Sequence, residues 1–204
     1  MVSFINEFFN GLKDFSDSYW FYIIIFVIAI LDSVIPIVPS ETLVIIGGVS
    51  AGSGSLSLGI VLLCAAIGAF IGDHVSYEIG KKASAFVTRR YERTEKGAKR
   101  LNAVIHHINE RGGLLLVTAR FIPGGRTILT LTCGITHQRQ RWFSGWVAIA
   151  TIIWATYASL LGFIGGKTFA DNHTLAFTFA FGCAIGVTAV IELVRFILKK
   201  RKSQ

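Results

Sequence analysis

Charged residues are scarce in this 204-residue chain, and acids are the scarcer sign. Only 16% of the residues are charged, whereas a soluble domain carries about 25%. Hydrophobic residues make up 52% of the chain and gather in long apolar stretches. This composition excludes an ordinary soluble domain and predicts a single membrane domain over residues 1–204.

The net charge of +8 does not indicate a nucleic-acid-binding protein, although 20 basic residues stand against 12 acids. Most basic residues fall in two blocks beside apolar segments, residues 81–111 and the KKRK near the C-terminus. Such blocks follow the positive-inside rule and mark the cytoplasmic side of a membrane protein. We therefore expect no nucleic-acid partner.

Cysteine is also rare, and its placement speaks against disulfide and metal chemistry. Cys64, Cys133 and Cys183 stand alone inside apolar segments, without the spacing of a disulfide framework or a metal site. No Ser/His/Asp set stands out, and the N-terminus lacks a basic region followed by a small-residue cleavage site. We expect no metal, no cofactor, no enzymatic activity and no cleaved signal peptide.

The chain has only three prolines, and each interrupts an apolar stretch. Pro36 and Pro39 stand in IPIVPSE, and Pro123 stands in ARFIPGGR. Four apolar arms flank these prolines: residues 20–31, 42–49, 113–122 and 127–135. Each arm is too short for a span of about 20 residues, and a turn within lipid must line a cavity or be buried in protein. We predict two re-entrant hairpins with the prolines at their tips; the alternative is two full spans kinked by proline.

The segments form an internal repeat. An amphipathic helix, a hairpin and a transmembrane helix occur in residues 1–80 and again in residues 99–165. A basic cytoplasmic linker, residues 81–98, joins the repeats, and a final transmembrane helix follows at residues 174–198. The flanking charges put the C-terminus in the cytoplasm and the acidic N-terminal segment outside, so the repeats are inverted. The predicted fold class is an all-α integral membrane protein with an inverted repeat, an architecture of transporters.

Five charged residues lie in or beside these apolar segments. The first half supplies the acids Asp32, Glu41 and Asp73, and the second half supplies Arg120 and Arg126. An ion at mid-membrane costs about 2.5–3.5 kcal/mol on insertion scales, so such residues face the protein interior and pair. Hairpin tips that meet would bring these acids and arginines together, either as structural ion pairs or as a working site.

The functional interpretation is an anion site at the second tip. The guanidinium forks of Arg120 and Arg126 suit a phosphate, and Gly124 and Gly125 leave backbone N–H groups open to an anion. The acids would then gate the site or carry protons, since a carboxylate at low dielectric beside arginines can exchange a proton.

Three segments stand out along the chain: LDSVIPIVPSETLVIIGG, GDHVSYEIGKK and ARFIPGGRTILTLTCGI, the last followed by the span WFSGWVAIATIIWATY. Together they resemble the signatures of the DedA family, also described as the SNARE-associated or VTT domain. The resemblance covers residues 20–165 in the family's order. It implies a bacterial inner-membrane protein with two opposed re-entrant hairpins. Its relatives are implicated in lipid translocation, including recycling of the undecaprenyl phosphate carrier, and in envelope homeostasis that depends on the proton gradient.

The resemblance also implies roles for individual residues. Glu41, Asp73, Arg120 and Arg126 match acids and arginines that are critical in the family, and Asp32 occupies a position where Glu is more usual. The aspartate keeps the charge but shortens its reach. Residues 137–141 depart from the more apolar stretch expected there, and no function is attached to them.

Three functions stay open on the sequence. The first is a transporter that moves an anionic lipid between leaflets, with the phosphate head group as ligand and protons as a coupling ion. The second is a proton-coupled exporter of small cations or drugs, and the third is a membrane organiser that transports nothing. A membrane-embedded lipid enzyme ranks last. The oligomeric state, including a homo-oligomer, is left open.

Overall fold

The two arms of the first predicted hairpin are short helices. The computed structural model describes residues 18–35, 40–92, 94–121, 124–169 and 182, and it places α1 at Trp20–Val34 and α2 at Ser40–Gly52. With 15 and 13 residues, these helices are about 22 and about 20 Å long, shorter than a hydrocarbon core of about 30 Å. Pro36 and Pro39, the predicted tip between them, lie outside the described residues.

Among the described residues, two helices are long and apolar enough to cross a membrane. They are α3 at Leu58–Glu92 and α6 at Gln140–Thr168, and their apolar stretches have mean hydropathies of 2.0 and 1.9. Helix α3 continues beyond residue 80, where the first repeat was predicted to end, so the first part of the predicted linker is helical. Residues 81–92 can continue the helix because they contain neither glycine nor proline and are rich in Lys, Arg and Ala, which favour helix.

The first arm of the second predicted hairpin is the end of a longer helix. Helix α4 spans Glu95–Thr118, a 3₁₀ turn follows at Ala119–Phe121, and α5 spans Gly125–Ile135. The predicted amphipathic stripe and the first arm of this hairpin thus form one helix. This helix contains two adjacent glycines, Gly112 and Gly113. A β-carbon at Gly112 would collide with the ring of Trp142, and one at Gly113 would collide with the ring of Trp146, so the helix needs glycine at both positions. Pro123 lies outside the described residues.

Every regular element in the described ranges is helical, which confirms the all-α class for that part of the chain. The inverted repeat and the entry of the hairpins into the membrane stay predictions. The N-terminal amphipathic helix up to residue 17, and the final helix at 174–198 apart from residue 182, lie outside the described residues.

The described residues divide into two compact units. The first contains α1 up to Ile25, α2, the start of α3 up to Ala65, and α6 from Ala155. Here α1 folds back on α2, since a β-carbon at Gly47 would meet Ile25 and Phe21. Glycines also let α2 and α6 touch through their backbones, because Gly162 contacts the carbonyl of Ile45 and Gly166 contacts that of Val49.

The second unit contains the remainder of α1, α3 and α6, together with α4, the 3₁₀ turn and α5. Its core is formed by six buried side chains: Tyr77, Ile108, Leu116, Cys133, Phe143 and Val147. Helices α3 and α5 meet backbone to backbone, since Gly80 contacts the carbonyl of Leu131 and Gly134 contacts the carbonyl of Tyr77. These glycines let α5 lie directly against α3.

Candidate functional site

Two acids and two arginines come together inside the second unit, and we call them the charge cluster. Asp32 lies near the end of α1, Asp73 in the middle of α3, Arg120 in the 3₁₀ turn and Arg126 in the first turn of α5. Residues 47 to 94 positions apart in the sequence thus contact each other through ion pairs. The cluster is neutral by formal charge.

Asp73 and Arg120 form the buried half of the cluster. Nη1 of Arg120 donates a hydrogen bond of 2.7 Å to Oδ2 of Asp73, and each side chain is 1% exposed. The guanidinium also stacks over the indole of Trp154, with 5.0 Å from its central carbon to the ring centroid, a cation–π contact that strengthens when water is excluded. The guanidinium of Arg120 is therefore held in its plane by Asp73 and on one face by Trp154.

Arg126 connects both acids at the more accessible edge of the cluster. Its Nη2 lies 3.1 Å from Oδ2 of Asp32, and its Nε lies 3.6 Å from Oδ1 of Asp73. The side chains of Arg126 and Asp32 are 11% and 17% exposed, so a ligand would meet them before it met Asp73 and Arg120.

Three polar atoms of the buried pair have no hydrogen-bond partner among the described residues: Nε and Nη2 of Arg120 and Oδ1 of Asp73. A buried polar group without a partner costs about 1–3 kcal/mol, and more when it is charged. Nε and Nη2 form one edge of the guanidinium, which is the edge that binds a phosphate or carboxylate through two parallel hydrogen bonds. Arg120 therefore offers a two-donor edge to an anion.

Hydroxyl groups fix the helices that carry the charges. The backbone carbonyl of Ser33 accepts hydrogen bonds from Ser76 Oγ at 2.7 Å and from Thr127 Oγ1 at 3.2 Å. Ser33 follows Asp32, Thr127 follows Arg126, and Ser76 lies one turn beyond Asp73. The three elements are thus tied together beside the charges they carry, and this satisfies a carbonyl near the end of α1 that lipid could not.

Gly124 and Gly125 lie where α5 begins. Gly124 adopts the left-handed conformation, with φ of 71°, and its carbonyl accepts the hydrogen bond from Ile128 N–H that opens the helix. The first N–H groups of a helix have no partner within it and favour anions. The predicted backbone donors thus stand directly before Arg126.

The charge cluster contains four of the five charged residues that the sequence singled out. Glu41 belongs to the first unit, in the first turn of α2, and is half-buried. A carboxylate there is favoured by the positive end of the helix dipole.

Sequence reasoning missed the backbone carbonyl of Ser33, the hydroxyls of Ser76 and Thr127 and the ring of Trp154. Each of the two hydroxyls lies within three residues of a charged member of the cluster, which is the signal that could have found it. Sequence reasoning also assigned no role to His74. Its Nδ1 lies 2.8 Å from the carbonyl of Phe70, and a carbonyl can only accept a hydrogen bond. Its Nε2 lies 2.8 Å from Ser144 Oγ.

Comparisons with known proteins find a matching family and several relatives. The family model described as the VTT domain matches residues 38–164. Undecaprenyl phosphate transporter A of Staphylococcus aureus is 27% identical over 191 residues, covering 89% of this chain and 92% of that protein. Protein DedA of Escherichia coli is 25% identical over 186 residues, covering 86% and 83%, and inner membrane protein YohD of the same species is 27% identical over 167 residues, covering 79% and 83%.

No solved structure matches the chain significantly. The range matched by the family model covers more than half of the chain and contains the positions of Glu41, Asp73, Arg120 and Arg126. Its relatives are named as membrane proteins or transporters. The chain therefore belongs to the VTT-domain family and is a membrane protein of the DedA family.

Proposed function

We propose that this protein moves an anionic, phosphate-headed lipid between the leaflets of the bacterial inner membrane. The cargo is undecaprenyl phosphate or a phospholipid, and the C-terminus is cytoplasmic while the N-terminus is outside. The observation that carries the proposal is the buried edge of Arg120, whose Nε and Nη2 have no partner among the described residues. The similarity to a protein named undecaprenyl phosphate transporter A supports the choice of cargo.

The geometry supports a role for both arginines in holding the phosphate. Arg126, at the accessible edge, would meet the head group first, and Arg120 would then bind it through its two-donor edge. The N–H groups of Gly124 and Gly125 would add backbone donors. Because the cluster already contains two acids, an arriving phosphate competes with Asp32 and Asp73 for the arginines, so binding is reversible.

Charge balance supports proton coupling. Two acids and two arginines are neutral together, so a bound phosphate leaves a net negative charge in a low dielectric, where it is costly. A proton on Asp73 or Asp32 would restore neutrality and release an arginine for the lipid. Glu41 is proposed as a further acid that gates the path or carries protons.

Flipping of a fluorescent phospholipid and of a polyprenyl phosphate in liposomes tests the proposal. Arg126→Ala and Arg120→Lys should abolish movement, because the first removes a charge and the second removes the two-donor edge while keeping the charge. Arg111→Ala, at an exposed position on α4, is the matched control and should flip lipid normally. Wild-type rates in Arg126→Ala liposomes would show that the arginine role is wrong.

A proton-coupled exporter of small cations is the second candidate, because Oδ1 of Asp73 is a buried carboxylate oxygen without a hydrogen-bond partner among the described residues. The acids would then bind the substrate, and the arginines would only hold the helices. Cation uptake driven by a pH gradient, measured in the same liposomes as lipid flipping, separates the two functions. A membrane organiser that transports nothing would show neither activity and would tolerate Glu41→Gln.

A further inference from the structure

The turn between α5 and α6 is a second place where polar groups are fixed by α3. Helix α5 ends in a Schellman motif, in which Gln138 N–H donates to the carbonyl of Cys133 and His137 N–H donates to that of Gly134, both at 3.0 Å. The left-handed residue of this motif is usually glycine, but here it is His137, with φ of 51°. Strained positions of this kind cluster at functional sites.

The side chain of His137 is held by α3. Ser84 Oγ donates to the carbonyl of Ile135 at 2.9 Å and lies 2.8 Å from Nε2 of His137. Since a serine hydroxyl has one proton, Nε2–H of His137 donates to Ser84, and Nδ1 remains for another partner. The imidazole of His137 is therefore bonded to α3, and a glycine at this position could not make that bond.

Two more contacts fix the backbone of the turn. Tyr77 donates from its hydroxyl to the carbonyl of Gln138 at 2.7 Å, and the backbone N of Lys81 lies 2.8 Å from where a β-carbon at Gly134 would be. Residues 77–84 of α3 thus lie alongside residues 134–138.

Basic side chains gather on residues 77–84 and on residues 134–141, which continue the turn into α6. We call four exposed residues the basic turn surface: Lys81, Lys82, Arg139 and Arg141. Within residues 77–84 and 134–141, which the structure describes in full, the four lysines and arginines are opposed by a single acid, Glu78, which lies 3.7 Å from Lys81. The surface therefore attracts anions.

The position of this surface indicates which anion it meets. The apolar helix α6, one of the two candidate membrane spans, begins at Gln140 between the two arginines of the turn. Cations at the end of such a helix stand at the level of the lipid head groups, where they attract anionic lipids. Ser84 lies eleven residues beyond Asp73 on α3, about 16 Å along the helix axis, so this surface is separate from the charge cluster.

We propose that the basic turn surface is a binding site for the phosphate head groups of anionic phospholipids at the leaflet surface. The Schellman motif, in which His137 is bonded to Ser84 and the carbonyl of Gln138 to Tyr77, holds the turn so that Arg139 and Arg141 meet the head group together. The site requires only that the protein lies in a membrane, and it would bind lipid whether or not the charge cluster transports it.

Native mass spectrometry of the detergent-purified full-length protein tests the site, with phosphatidylglycerol as the probe and phosphatidylcholine as the neutral reference. Arg139→Gln combined with Arg141→Gln should weaken phosphatidylglycerol binding about 10-fold or more, since each cation near a head-group layer contributes measurably, and should leave phosphatidylcholine binding unchanged. The matched control combines Lys99→Gln with Arg111→Gln, two exposed cations on α4, and should bind like the wild type. Equal losses in both double variants would mean diffuse attraction to a basic protein and would overturn the site.

Ser84→Ala distinguishes a fixed site from a merely charged one, because it keeps every charge and removes two of the contacts that hold the turn, those to Ile135 and His137. We expect about 3-fold weaker phosphatidylglycerol binding, in line with the loss of a hydrogen bond, with a thermal midpoint close to that of the wild type. Unchanged binding by a folded Ser84→Ala protein would contradict a positioned site.

Discussion

Arg120 donates a hydrogen bond of 2.7 Å to Asp73 although both side chains are 1% exposed. Burial of two opposite charges requires that their attraction offset the loss of hydration, and this pair leaves three of its polar atoms without hydrogen bonds among the described residues. A pair whose only role was to hold helices together would be expected to have its donors satisfied. The unused donors therefore favour a site that receives a ligand.

Single and double substitutions of this pair separate structural from functional roles. Asp73→Asn or Arg120→Gln alone should destabilise the protein by about 3–5 kcal/mol, because the first leaves Arg120 unpaired and the second leaves Asp73 only its longer contact with Arg126. The double variant should recover much of this stability but should still not flip lipid, since the two-donor edge is gone. Thermal unfolding in detergent and lipid flipping are measured on the same preparations. A double variant that flips lipid like the wild type would show that the pair is structural only.

The length of the acid at position 32 provides a finer test. Asp32→Glu keeps the charge that pairs with Arg126 across 3.1 Å and lengthens the side chain by one methylene group, so lipid flipping should stay within about 3-fold of wild type. Asp32→Asn should lower flipping far more, since a neutral amide cannot balance the guanidinium. Equal activity in the two variants would contradict a role for this charge.

Helix α5 should tolerate no side chain where it touches α3. Gly134→Ala would push a β-carbon into the carbonyl of Tyr77, and we expect a loss of about 1–3 kcal/mol, as for other overpacked positions. The matched control is Gly145→Ala on α6, where no atom lies within 4 Å of the new β-carbon. Alanine there should be neutral or stabilise by up to about 1 kcal/mol. Thermal unfolding measures both, and equal midpoints would contradict the backbone contact.

The hydroxyl of Thr127 should matter more than that of Thr132 on the same helix. Thr127 donates to Ser33 of α1 at 3.2 Å, whereas Thr132 donates to Ile128 in its own helix. Thr127→Val should cost about 0.5–1.5 kcal/mol, the value of a typical hydrogen bond. Thr132→Val should cost nothing measurable, because such local bonds do not stabilise a helix. The comparison is made by thermal unfolding, and the reverse order would disprove the tie between α5 and α1.

The sequence could predict the apolar helices and the charged residues within them from composition alone. Lipid selects uninterrupted apolar runs, so the spans around Leu58 and Trp142 are visible, and charges such as Asp73 and Arg120 are visible against them. Helix ends were predicted less well. Helix α3 runs on to Glu92 because polar residues that favour helix continue it beyond the apolar run.

Contacts between distant segments could not be predicted from one sequence. Nothing in its neighbourhood says that the carbonyl of Ser33 accepts bonds from Ser76 and Thr127, because a backbone acceptor has no sequence signal. The left-handed conformation of His137 was also hidden, since glycine is the usual residue there. Both features depend on α3 lying against α1 and α5, which only the folded chain specifies.

The backbone contact between α3 and α5 has a mechanical consequence. Helices that meet through Gly80 and Gly134 have no side chain at these two contact positions, so steric resistance to sliding of one helix past the other is low there. Polar links resist sliding at both ends of α5: the bond from Thr127 to Ser33 and the ion pairs of Arg126 at its first turn, and the bonds from Ser84 and Tyr77 at its last. A displacement of α5 along α3 must therefore break the same ion pairs that an incoming anion would replace.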